Sequence, residues 1–415
     1  MSRMIPAIRF RGFSDEWEQW KLGEVAEVKD SARIPNDEWT ESGVPYIRAS
    51  DISNDDLSGV LFISKDKYEF YKERTGAPNK NDVLFNGGGE IGKAVLKEDD
   101  TPVYVQGGAV LYVRTSESEH LRGDYLTSYF STKSAKQYIE VASAGGTMKH
   151  YTLKPAQNMP VVFPSVEEQT KIGDYFIKLD NLITLQQRKC DALKELKKGM
   201  LQKMFPKNGA KVPEFRFKGF TGDWERRKLG EIATSFDYGL NAAATEYDGK
   251  NAYIRITDID DDSHNFVREG ITSPQIDLTN ADDYKLAEGD ILFARTGASV
   301  GKSYIYKPSD GLMYYAGFLI RARIKSEYDV RFIFQNTLTE NYNKYIAVTS
   351  QRSGQPGVNA QEYAEYEIMC PSKAEQVKIG EYFSNLDNLI ALQQRKCDDL
   401  KEIKKFMLQN MFPEG

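Results

Sequence analysis

The residues best suited to chemistry lie in a glycine-rich stretch, Gly87-Gly88-Gly89-Glu90-Ile91-Gly92-Lys93-Ala94. Its spacing fits G-x-x-x-x-G-K, a loop whose backbone N–H groups cradle phosphates, but Ala94 stands where magnesium needs a hydroxyl. A second stretch, Gly297-Ala298-Ser299-Val300-Gly301-Lys302-Ser303, has the hydroxyl and is one residue short. Gly87, Gly89 and Gly92 also match G-x-G-x-x-G, and Phe85-Asn86-Gly87-Gly88-Gly89 matches the F-x-G-x-G loop of S-adenosylmethionine enzymes. Neither stretch continues as a β-α-β unit. A strand, a tight turn and a second strand account for the glycines in both. N-P-P-Y and N-P-P-F, expected of an adenine methyltransferase, are missing, as are G-x-S-x-G and H-E-x-x-H. His120, His150, His264, Cys190, Cys370 and Cys397 show no metal-ligand spacing.

What remains is recognition chemistry. Two polar, basic loops stand in matching places, Ala144-Gly145-Gly146-Thr147-Met148-Lys149-His150 and Ser350-Gln351-Arg352-Ser353-Gly354-Gln355-Pro356-Gly357. Arg and Lys hydrogen-bond guanine edges, and Gln addresses adenine. The candidate nucleic-acid contacts are Arg48, Lys149, Arg255, Arg295 and Arg352, with Asn86, His150 and Gln355 beside them. The net charge of −6 means that any phosphate-binding surface must be a local basic patch, or that partner subunits must share the work.

The elements that position these residues come in duplicate. Pro164–Pro206 and Pro371–Pro413 share 32 identities in 43 ungapped positions. The words PAIRFRGFSDEWEQWKLGE, from Pro6, and PEFRFKGFTGDWERRKLGE, from Pro213, repeat at the same offset of 207 residues. So do Tyr46-Ile47-Arg48 with Asp51-Ile52 and Tyr253-Ile254-Arg255 with Asp258-Ile259. The chain is a tandem duplication.

Each copy ends in a long helix. Ser165 with Glu168, and Ser372 with Glu375, read as capping boxes. Apolar residues then recur three or four apart. The predicted packing positions are Phe176, Leu179, Leu182, Leu193 and Leu196 on one helix and Phe383, Leu386, Leu389, Leu400 and Ile403 on the other. A helix of ~40 residues is a rod of roughly 60 Å. With so narrow an apolar face it needs a partner helix, and the other copy is the simplest one. Cys190 and Cys397 fall at equivalent places in that seam, and Gly173 and Gly380 are expected to weaken or bend its second turn by ~1 kcal/mol each.

The fold expected is α+β: two globular domains, 1–163 and 210–370, followed by long helices at 164–209 and 371–415 that pack as an antiparallel, coiled-coil-like spacer. Each globular part reads as a curved or barrel-like sheet with a few helices, including helical patterns over Leu121–Ala142 and Val330–Ile346. Over 415 residues, 40% are hydrophobic and 28% charged, as in a soluble globular protein. No apolar run approaches the ~18 residues of a membrane span, and MSRMIPAIRF lacks a signal-peptide core, so a cytoplasmic location is expected.

The layout resembles the specificity (S) subunits of type I restriction–modification enzymes. The resemblance rests on Trp20-Lys21-Leu22-Gly23-Glu24, the Y-I-R…D-I words, Gly289-Asp290-Ile291-Leu292-Phe293-Ala294-Arg295-Thr296-Gly297, and the P-S-x-x-E-Q that opens each long helix. It implies a chain that reads a bipartite double-stranded DNA target, one half per target recognition domain, with the helices setting the gap. It implies two modification subunits that methylate adenine with S-adenosylmethionine, and restriction subunits that use ATP and magnesium. The S chain itself would be non-catalytic and would bind no cofactor. A two-headed protein-binding scaffold, or a self-contained methyltransferase or nuclease, are the alternatives; the missing motifs disfavour the latter.

Overall fold

Val83–Asn86 and Val110–Val113 are buried at every position, and apolar at all but Asn86, because both faces of their sheet are covered, so neither shows the alternation of a half-exposed strand. In the computed structural model they are the central strands β2 and β4 of a four-stranded antiparallel sheet whose outer strands are β1 (Val28–Asp30) and β3 (Ala94–Leu96), in the order β1-β4-β2-β3. The same sheet recurs as β5 (Ala233–Tyr238), β6 (Asp290–Ala294), β7 (Ser303–Ile305) and β8 (Leu319–Ile324), in the order β5-β8-β6-β7.

The structure describes residues 4–143, 145, 149–207, 209–352 and 354–413. They form two units, Met1–Gln187 with Arg395–Gly415, and Arg188–Gln394. Around each four-stranded sheet lie smaller ones. In each unit a strand from the Y-I-R word runs parallel to a second strand, Val44–Ile47 beside Tyr104–Val105 and Ala252–Ile254 beside Met313–Tyr315. Another, Glu18–Lys21 or Glu225–Lys228, pairs antiparallel with the strand just before the long helix. Among the described residues the strands of each unit sort into several sheets rather than one closed barrel: the edge strands β1 and β3, or β5 and β7, do not pair.

One sheet face packs on helices. Each helical pattern read as continuous is two helices: α1 (Gly123–Phe130) and α2 (Lys133–Ala142) in the first unit. Thr132 breaks the run by accepting the Ala135 N–H as an N-cap. The long helix α3 spans Val166–Met204. The second unit repeats the design with α4 (Val330–Asn336), α5 (Glu340–Thr349, capped by Thr339) and α6 (Lys373–Asn410).

The two long helices run antiparallel within each unit. In the first, Asp180 accepts from Lys404 at 2.5 Å and Gln187 lies 3.4 Å from the Cys397 thiol. In the second, Lys197 meets Asp387 at 2.6 Å and the Cys190 thiol lies 3.5 Å from Gln394. Phe176, Leu179, Phe383 and Leu386 are buried, and Leu193 and Leu400 are half-buried. Leu182, Leu196, Leu389 and Ile403 are instead 46–47% exposed, because a two-helix seam covers only a narrow face of each rod.

Each unit's core is completed by the residues at the end of a long helix. Met411 and Phe412 enter the first core, with Phe412 6.1 Å from Trp17 and 5.9 Å from Phe176, ring centre to ring centre. Met204 and Phe205 do the same in the second, against Trp224 and Phe383.

The capping boxes take a different form. Ser165 lies 3.5 Å from the Glu168 N–H, but the Glu168 carboxylate, 1% exposed, accepts two 2.7 Å bonds from Arg9. Glu375, fully buried, is held by Arg216 in the same way. The next residue of the motif is equally occupied: Gln169 bonds Arg122, His120 and Pro164, and Gln376 bonds Asp329 and Pro371. Gly173 and Gly380 mark close approaches: a Cβ there would sit 2.5 Å from the carboxyl group of Asp124 or Asp329.

Candidate nucleic-acid interface

In the first unit the glycine stretch forms the turn between β2 and β3. Gly92 adopts φ +80°, and a Cβ there would lie 2.8 Å from Ile139 of α2. Gly87 donates to the Ala109 carbonyl and accepts from the Tyr151 N–H, both at 2.8 Å, and has no room for a side chain beside Tyr151. Three segments therefore meet at one rim of the sheet: the hairpin turn, α2 at Ile139 with His150 and Tyr151, and the turn before β4. His150, exposed, has its ring next to Gly88, and Lys149 is exposed with no ion pair among the described residues. Ala144, Gly146, Thr147 and Met148 of that loop lie outside the described residues, as does Ser353 of its counterpart.

The second unit builds the same rim. Gly301 (φ +88°) meets Ile346 of α5, Gly297 donates to Pro356, and Val358 donates to the Arg295 carbonyl at 2.9 Å. This brings Arg295, Arg352 and Gln355 to one surface. Arg352 and Gln355 are exposed; Arg352 pairs with Glu362 and donates to the Thr349 and Gln351 carbonyls. Arg295 is half-exposed, has no carboxylate partner among the described residues, and lies over the Tyr238 ring at 4.8 Å. Beside Tyr238 opens a cleft of about 430 Å³ lined by Phe236, Asp237, Tyr238, Asp283, Tyr284, Tyr315 and Arg321.

The remaining candidates lie back from the rim. Asn86 is fully buried and donates to the Ala49 carbonyl and Ser53 Oγ, so it anchors the turn rather than touching a ligand. Arg48 and Arg255 each clasp a carboxylate three residues on, Asp51 and Asp258, which offsets much of their charge. The hydrogen bond to Asp258 raises the pKa of Arg255. Sequence reasoning missed Tyr238 and Phe318; Phe318 is 64% exposed at the rim. Among the described residues no cluster of His, Cys, Asp and Glu is placed to hold a metal ion, and no helix is long and apolar enough to cross a membrane.

Two copies of one rim on one framework, with different side chains on it, suit recognition of two related but unlike targets. The family model for the type I restriction modification DNA specificity domain matches residues 14–195 and again 221–402. The chain belongs to this family. Relatives include the specificity subunit of the type I restriction enzyme MjaVIII of Methanocaldococcus jannaschii, 25% identical over 292 residues, 68% of each chain. The MjaIX specificity subunit of the same organism is 22% identical over 311 residues, 70% of this chain and 68% of that one. Among solved structures, the S subunit of a type I restriction–modification system from M. genitalium shares the fold, with a TM-score of 0.70 at 16% identity over 99% of this chain and 100% of that one. As a type I specificity subunit, the chain recognises the DNA target and performs no catalytic step itself.

Proposed function

We propose that each unit reads one half of a split DNA sequence, and that α3 and α6 set the gap between the halves. The observation that carries this reading is the doubled rim: equivalent turns, helix ends and loops converge in both units, while the side chains they present differ. Lys149, His150, Arg295, Arg352 and Gln355 are the polar groups available there. Two modification subunits dock on the chain and methylate adenine with S-adenosylmethionine, and restriction subunits bring ATP and magnesium; none of these cofactors is held by this chain. The complex works in the cytoplasm.

Replacing residues 213–370 with the matching domain of a relative tests the reading. Methylome sequencing should show one half of the methylated sequence changed, with the other half and the gap retained. If both halves change together, independent reading fails.

A further inference from the structure

Residues that make two readers differ must sit where the units share backbone and diverge in side chain. The rim of the four-stranded sheet offers three such positions. In the second unit Ala294 pairs with Leu319, and the Arg295 N–H donates to the Phe318 carbonyl at 3.1 Å, so Arg295 and Phe318 are cross-strand neighbours. Tyr238 pairs with Ile320, which also pairs with Phe293. Opposed residues share a face, as do residues two apart. Tyr238, Arg295 and Phe318 therefore continue the rows that carry Phe293 and Ile320 in the core, at the point where those rows leave it.

The first unit places Asp30, Gly87 and Ala109 at the corresponding points: Asp30 pairs with Leu111, and the Gly87 N–H donates to Ala109. One unit thus ends its sheet in small and acidic residues, and the other in a guanidinium lying over the Tyr238 ring, with Phe318 at its cross-strand position.

Phe318 is 64% exposed and makes no ring contact among the described residues, so internal packing does not account for it. Its backbone is nonetheless held. Gly317 donates to Leu240 at 2.9 Å, Leu319 donates to Ala316 at 2.8 Å, and Arg295 Nη1 reaches the Gly317 carbonyl at 3.4 Å. A ring presented on a tied turn loses little freedom on contact. Arg295 is similarly pre-set by the Tyr238 ring, whose hydroxyl accepts from the Ala360 N–H.

The two side chains have complementary uses in a major groove. A guanidinium bonds guanine O6 and N7, and an apolar ring meets the thymine methyl. Resting on the proposal that each unit reads a half-site, we infer that Arg295 and Phe318 together read a G·C pair next to a T·A pair in the second unit's half-site. Arg295 contacts the guanine and Phe318 the thymine methyl. The first unit has no such reader at its equivalent positions.

The test uses the complex of the chain with its modification subunits and duplexes carrying its methylated sequence. In each duplex one thymine of the second half-site is replaced by uracil, which removes only the methyl group. At the contacted thymine, wild type should lose about fourfold in affinity, the worth of one buried methyl. Phe318→Ala should bind the thymine duplex about that much more weakly and show no further loss with uracil. Its thermal stability should be unchanged. Arg295→Met should become indifferent to 7-deazaguanine at the neighbouring guanine. The inference is overturned if no uracil in that half-site affects wild type, if Phe318→Ala remains as sensitive as wild type, or if the half-site contains no adjacent G·C and T·A pairs. A wild-type complex with no preference for its own methylated sequence would instead bring down the functional reading on which the inference rests.

Discussion

Replacing Arg216 by Met should leave the Glu375 carboxylate charged and buried with nothing opposite it. In the native chain Glu375 is fully buried and takes two 2.7 Å bonds from Arg216, whose side chain is 18% exposed. Removing one partner of a buried ion pair costs about 3–5 kcal/mol, because the remaining charge is uncompensated. Partial exposure of the arginine lets water reach the site, so the lower end, ~3 kcal/mol, is expected here. In a domain of about 150–250 residues each kcal/mol shifts Tm by roughly 2–4 °C, which gives a fall of roughly 6–12 °C for the second unit. The double variant Arg216→Met/Glu375→Leu removes both charges and should regain most of the loss. Differential scanning calorimetry of wild type, both single variants and the double variant closes the cycle. If Arg216→Met stays within ~1 kcal/mol of wild type, or the double variant is no better than the single, the pair is not the clamp described. Arg9→Met should have the matching effect on the first unit.

Two helical glycines should respond in opposite directions to alanine. Gly199→Ala, where a Cβ meets nothing within 4 Å, should stabilise by about 0.5–1 kcal/mol, whereas Gly380→Ala drives a Cβ to 2.5 Å from Asp329 Oδ1 and should destabilise; urea midpoints that rise for both would remove the close-approach argument. His264 links stability to pH. Burial, only partly opposed by its 2.9 Å contact with the Ser303 carbonyl, holds its pKa below the ordinary imidazole value. The unfolded chain therefore takes up the proton first as pH falls. The stabilising effect is complete above ~6.5 and is lost as pH drops through the folded-state pKa. The urea midpoint of the second unit should fall between pH 7.5 and 5.5, and fall less in His264→Asn, a residue that tolerates the φ of +55° found there; equal falls in both would show that His264 is not responsible.

Duplication, the long helices and the strand–turn–strand reading of the glycine stretches could be read from the chain because they rest on repeated words and local periodicity. Features that depend on distant segments were harder to see. Glu168 and Glu375 have the local spacing of capping residues, and only the tertiary fold brings Arg9 and Arg216 to them, though the shared separation of 159 residues was a visible sign. Periodicity marks an apolar face but not its width, so Leu182 and Leu389 were indistinguishable from Leu179 and Leu386. Asn86 looked available beside glycines, yet its neighbours close over it. Phe318, between Gly317 and a run of strand residues, has the signature of a core aromatic; only the pairing of Ala294 with Leu319 shows that the sheet ends one residue too early to bury it.

Insertion of Met411 and Phe412 into the first core has a consequence for how the chain is made. The second unit is one contiguous stretch, Arg188–Gln394, and has all its parts as soon as those residues have left the ribosome. The first has its sheet and most of its helices much earlier, but Trp17, Tyr125 and Phe176 have no Phe412 to close on until synthesis has passed the whole of the second. Maturation therefore runs against the direction of translation, and the segment made first waits longest with an open apolar site. A chain that stalls before residue 411 carries a finished second reader and an unsealed first one, a ready mark for chaperones or proteases that survey nascent proteins.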